Sequence, residues 1–80
     1  MARLKTLKFV KMLLRNEDGQ VSSVVEFCKV VSFSGGLLHL YGCHMPHKEE
    51  TYERNFAIND ILSFEVHNCL VDVETLDFAL

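Results

Sequence analysis

The side chains of this chain that could do chemistry are three cysteines, four histidines and two tyrosines. Cys43 and His47 stand four apart, His67 and Cys69 stand two apart, and four such donors are what a structural zinc site takes. Neither pair has the Cys-x-x-Cys spacing of a zinc knuckle, and Pro46 interrupts the first. They read as ordinary thiols and surface histidines, with no metal and no other cofactor expected. Catalytic motifs are equally lacking. No carboxylate pair sits in an apolar run, there is no Gly-x-Ser-x-Gly elbow, and Ser34-Gly35-Gly36 is not followed by the lysine and helix of a phosphate loop. The chain therefore reads as non-enzymatic, with no catalytic residue to name.

A binding role has more candidates. Lys5, Lys8, Lys11 and Arg15, with Tyr41 and Tyr52, combine cations that take phosphates with rings that stack on bases. The two kinds of residue are not interleaved in one segment, however, and the net charge is −3, so nucleic acid is not the expected partner. Charge is unevenly spread: five of the eight basic residues fall within the first fifteen positions, whereas Asp60, Glu65, Asp72, Glu74 and Asp77 make the last third acidic. That polarity suits head-to-tail contact between copies as well as it suits a ligand.

These side chains must be positioned by strands. From Gly19 to Gly36 the sequence reads as one long strand closed at both ends by glycine, with Val21, Val25, Phe27, Val31 and Phe33 on an expected core face and Gln20, Ser22, Glu26 and Ser32 opposite. Val24, Cys28 and Val30 break the alternation, which predicts a bulge or sharp bend near Cys28 to Val30 and a strand whose halves serve different parts of a closed sheet. Leu4 to Arg15 reads in two ways, as a helix that stacks Lys5, Lys8, Lys11 and Arg15 on one side with Leu4, Leu7, Val10 and Leu14 beside them, or as a strand that the Asp18-Gly19 turn makes the antiparallel partner of the long one; strand is preferred from about Lys8 onward, with a short helical turn before it as an option. Leu37 to Met45 forms a strand with Leu38 and Leu40 on one face and His39, Tyr41 and Cys43 on the other. Beyond the loop at Pro46 to Glu50, Tyr52, Phe56 and Ile58 alternate with Thr51, Glu53 and Asn55, and Arg54 is the one discordant residue. After Asn59-Asp60, Leu62, Phe64 and Val66 are expected inward and Ser63, Glu65 and His67 outward.

The run Phe56-Ala-Ile-Asn-Asp-Ile-Leu-Ser-Phe-Glu-Val66, a strand, a one-turn link and a strand, resembles the end of SH3-like and Sm-like barrels, in which a single 3₁₀ turn joins the last two strands. The resemblance covers about residues 8 to 68. It implies a mainly β, five-stranded small barrel or strongly bent antiparallel sheet, and carries no RNA-binding or peptide-groove signature with it. Residues 71 to 80, with Val73, Leu76 and Leu80 at helical spacing and Asp72 in a capping position, are expected to form a short helix or tail.

At 80 residues the chain is one domain that buries about 60–65% of the surface it exposes when unfolded. Apolar side chains are left over, which points to a homo-oligomer whose contact includes Val71, Val73, Leu76, Phe78 and Leu80. Cations interrupt every apolar run in the first fifteen residues, so no secretory signal is expected, and three cysteines cannot all pair within one chain. A reduced, cytoplasmic protein is expected, and no apolar run approaches the roughly 20 residues that span a bilayer. The function these features favour is a non-catalytic binding or interaction module that occupies a protein surface or holds a small ligand. This is also the profile of phage or mobile-element accessory proteins such as inhibitors of host defence. The alternative is an Sm-like single-stranded nucleic-acid binder.

Overall fold

The computed structural model describes residues 3–79. It is mainly β, with seven strands in two antiparallel sheets that curl strongly into a half-barrel. The first sheet has the order β2 (Val21–Cys28), β1 (Leu4–Arg15), β6 (Ile61–Asp72), β7 (Asp77–Ala79), and the second has the order β3 (Val30–Ser34), β4 (Leu37–His44), β5 (Thr51–Ala57). A 3₁₀ turn at Ile58–Asp60 carries the chain from β5 to β6. Among the described residues, no helix is long and apolar enough to cross a membrane.

The bend expected near Cys28 to Val30 falls at Lys29, where the long strand leaves the first sheet as β2 and enters the second as β3. Its faces are not those expected. In β2 the even residues Val24, Glu26 and Cys28 face the principal core, while Val21 and Val25 are 55% and 47% exposed. Past the bend the parity changes, and Val31 packs on that core. The physical reason is that this end of the first sheet is covered on both faces, so that apolar residues of both parities are used. Val10, Met12 and Cys28 meet Leu38, Leu40 and Cys43 between the sheets, and Leu7, Phe27, Cys69, Val71 and Val73 form a second core on the reverse side.

Three further expectations are corrected. Among the described residues there is no N-terminal helical turn, because residues from Leu4 onward pair with β6, Leu4 opposite Asp72. Cys43 does not share a face with His39 and Tyr41. Gly42 takes φ of 68° where the β4–β5 register shifts, which turns Cys43 inward beside Leu38 and Leu40. A side chain cannot replace that glycine cheaply, since its Cβ would stand 2.9 Å from the Cβ of Lys29. Nor is the tail helical: Val71 and Val73 are buried at the end of β6, Asp72 accepts the Glu74 N–H at 3.0 Å, and Leu76 reverses the chain at φ of 63° so that Asp77–Ala79 returns along β6. An aspartate that could cap a helix here opens a hairpin turn instead.

The two sheets differ in reach. The long axis of the molecule is 43 Å, about the length of a 12-residue strand at roughly 3.3 Å per residue, and β1 and β6 are the two strands of that length. The shorter strands of the second sheet cannot cover all of β6. Leu62, Phe64 and Val66 do share one parity, as expected, yet only Phe64 packs on the core, and Leu62 and Val66 are 43% and 36% exposed. Ile58, expected on the core face of β5, lies in the 3₁₀ turn and is exposed.

Candidate functional site

The residues singled out for binding are not brought together. Alternation along β1 puts Lys5, Lys11 and Arg15 on the reverse face with Leu7 and Phe9, whereas Lys8 has the opposite parity and donates its ammonium to Asn68 Oδ1 at 3.2 Å. Tyr41 stacks on His39 on the outer side of β4, with ring centroids 5.8 Å apart. Tyr52 packs against the principal core from β5. The two tyrosines are thus on opposite faces of one sheet. The four metal-ligating candidates are also dispersed: Cys43 belongs to the principal core and Cys69 to the reverse one. Among the described residues no group of three His, Cys, Asp or Glu side chains is placed to hold a metal ion.

What the structure does assemble is a polar node that the strand pattern concealed. Glu26, expected on a solvent face, is 7% exposed and accepts hydrogen bonds from the Tyr52 hydroxyl and from the Arg54 guanidinium, the latter at 2.8 Å. Arg54 also lies over the Phe56 ring at 4.8 Å, so its cation is held from two sides. Its discordance in the alternation of β5 was the available signal, since a cation on a core face calls for an anion on the strand opposite. Burial, then the neighbouring Glu26, pushes the Cys28 thiol up to about 11 and the Cys43 thiol up to about 12. Both are held protonated, the reverse of what a nucleophilic cysteine requires. Burial and the bond to Glu26 likewise raise Tyr52. The node is suited to fixing β2 against β5.

Two apolar surfaces remain. On the reverse face Phe78 stacks on Phe9 at 5.0 Å and leans on Phe27 at the same distance, with His67 6.2 Å from Phe9, and Phe78 stays 44% exposed. At the open mouth of the half-barrel Phe33, 56% exposed, meets Phe64 edge-on at 5.7 Å, Val66 continues the same side of β6, and Leu62 lies exposed at the register shift beside them. Of the residues expected at an oligomer contact, Val71 and Val73 are consumed by the chain's own core, Leu76 packs against it, Phe78 is partly free, and Leu80 lies outside the described residues. Glu74, expected to meet a basic strand of another copy, is 3.5 Å from Arg3 of its own chain.

Beside the apolar mouth runs an unpaired strand edge. β7 covers β6 only at Leu70, Val71 and Asp72, so Ile61 to Cys69 has β1 on one side and no strand on the other among the described residues. In comparisons with protein-family models, curated proteins and solved structures, nothing matches the chain.

Proposed function

We propose that the chain is a non-catalytic interaction module, an SH3-like or Sm-like barrel left open on one side, that joins a second copy of itself along β6. The barrel reading is supported by the continuity of neighbours from β6 through β1 and β2, around the bend at Lys29, to β3, β4 and β5, and by the 3₁₀ turn between β5 and β6. The observation that carries the interaction reading is the free edge from Ile61 to Cys69, flanked by the exposed Leu62, Val66 and Phe33. A long, unblocked edge beside apolar side chains pairs with another strand unless something prevents it. No proline interrupts that edge, the shift of the β1–β6 register at Leu62 touches only its first residues, and Glu65 is the only formal charge along it.

Hydrogen exchange tests this directly. In an antiparallel strand alternate amides point away from the existing partner. Those of β6 that point away from β1 should exchange freely in dilute protein and become protected as concentration rises. Fast exchange at every concentration would contradict self-association through this edge.

A second reading has one observation in its favour. Lys5, Lys11 and Arg15 share the reverse face of β1 with Phe9, beside the partly exposed Phe78, which brings cations and a ring to one surface as a single-stranded nucleic-acid platform requires. Glu65 stands directly opposite Lys11 across the β1–β6 ladder and works against it. Binding of an oligonucleotide that persists at about 200 mM salt would favour this reading over the first.

A further inference from the structure

At the end of the half-barrel away from the apolar mouth, the start of β1, the bend at Lys29 and the adjoining ends of β4 and β5 border an open-sided cavity of about 390 Å³. Its wall includes Lys5, Lys29, Gly42, His44, Glu49 and Thr51. That size falls within the roughly 300–1,000 Å³ of small-molecule sites.

We propose that this cavity binds a small phosphate-bearing anion, held between the ammonium groups of Lys5 and Lys29 with His44 on its wall. Two independent observations meet there. In a chain of net charge −3, two of its eight basic side chains line one cavity. His44, which lines the same cavity, is 8% exposed, and its Nδ1 is buried without a hydrogen-bond partner. That nitrogen is closed off from the cavity as well as from solvent, so an anion pairs with it only through a small turn of the ring, and a polar group left unpaired in this way costs free energy that such a turn recovers. The Thr51 hydroxyl adds a donor of the kind that phosphate oxygens accept. No phenylalanine or tyrosine lines the cavity, so the anion is recognised by charge and hydrogen bonding before stacking.

Glu49 is the one carboxylate on the wall. Its side chain is 87% exposed and lies 3.7 Å from Arg3, which draws it toward the rim. It opposes an anion in the cavity, which supplies a substitution whose effect has the opposite sign to that of the lysines.

The proposal rests on the reading of the chain as a binding module, and its test is separable from self-association because the cavity lies away from the β6 edge. The full chain is titrated with inorganic phosphate while backbone amides are followed by NMR, against sodium chloride at equal ionic strength. Phosphate should shift Gly42, His44 and Thr51 saturably, and chloride should not. Lys5→Gln with Lys29→Gln, both at exposed positions, should lower the affinity at least about tenfold, and Glu49→Gln should raise it. Adenosine monophosphate and adenosine distinguish the sources: tighter binding of the nucleotide with silence from the nucleoside assigns a nucleotide phosphate, and equal binding of nucleotide and phosphate assigns the free anion. Shifts that chloride reproduces, or an affinity unchanged in the double lysine variant, overturn the site. Mass in solution measured on the same samples reports on self-association independently.

Discussion

Glu26, Arg54 and His44 are the residues whose energetics the structure makes most specific. The carboxylate of Glu26 is 8% exposed at its side chain and Arg54 is 40% exposed, so the two halves of the pair differ in what they lose on separation. Glu26→Gln keeps one oxygen for the Arg54 guanidinium while its amide N–H can donate to the Tyr52 hydroxyl, and it should cost about 1 kcal/mol. Arg54→Ala strands a buried carboxylate and should cost more, approaching about 3 kcal/mol. Urea unfolding at constant slope measures both, and a larger loss in Glu26→Gln would contradict the node as described. His44 yields a pH prediction. Burial, then Lys5, Arg3 and Lys29, holds its imidazole below the ordinary value of 6.5. A histidine with a depressed native pKa binds fewer protons folded than unfolded, so stability is full above about pH 6.5 and falls as pH drops below it toward the native pKa. The melting temperature should decline over that range before the carboxylates titrate, and His44→Gln should flatten the slope; an unchanged slope would contradict it. Of these residues, Arg54 was legible in the sequence as an anomaly. Glu26 and His44 were not, because their burial depends on which strand lies opposite.

Among the elements, the long strand is the instructive case. Its bend was legible because the apolar parity changes within a few residues, and the structure breaks the strand at Lys29. The direction of its faces was not legible, because a sheet buried on both sides admits Val24 and Cys28 on one face and Phe27 on the other with no loss. Gly42 has the same lesson on a smaller scale. A single positive φ turns Cys43 inward, and nothing in the alternation of Leu38, Leu40 and Cys43 announces it. Gly42→Ala should therefore cost about 1–3 kcal/mol from backbone conformation alone, with the contact to Lys29 adding to it. A melt as stable as the parent's would mean that the close approach of β4 to Lys29 is not maintained. Packing separates two core strands in a similar way. Met12, 1% exposed, should cost about 2–5 kcal/mol on truncation to alanine. Phe64 should cost less than its size suggests, because it sits at the open mouth against the exposed Phe33. A greater loss from Phe64→Ala than from Met12→Ala would show that the mouth is closed.

At the scale of the whole molecule, the half-barrel buries its own C-terminal valines and leaves its apolar excess elsewhere, at Leu62, Val66 and Phe33. That transfer is why the contact proposed between copies could not be placed from composition: an 80-residue chain was bound to have apolar side chains to spare, but which ones depended on β1 and β6 outreaching the second sheet. Pairing through β6 would shield these side chains and the open backbone groups at once, and with an apolar centre it would weaken only modestly with salt. The central claim is that β6 is the contact between copies. Sedimentation equilibrium of the full chain and of Leu62→Lys with Val66→Lys, both at exposed positions, measures it most directly. The parent should show a concentration-dependent mass above that of one 9.2 kDa chain, and the lysine variant the single-chain mass with a retained cooperative melt. A parent that sediments as one chain at every concentration, or a folded lysine variant that keeps the parent's mass, would contradict it.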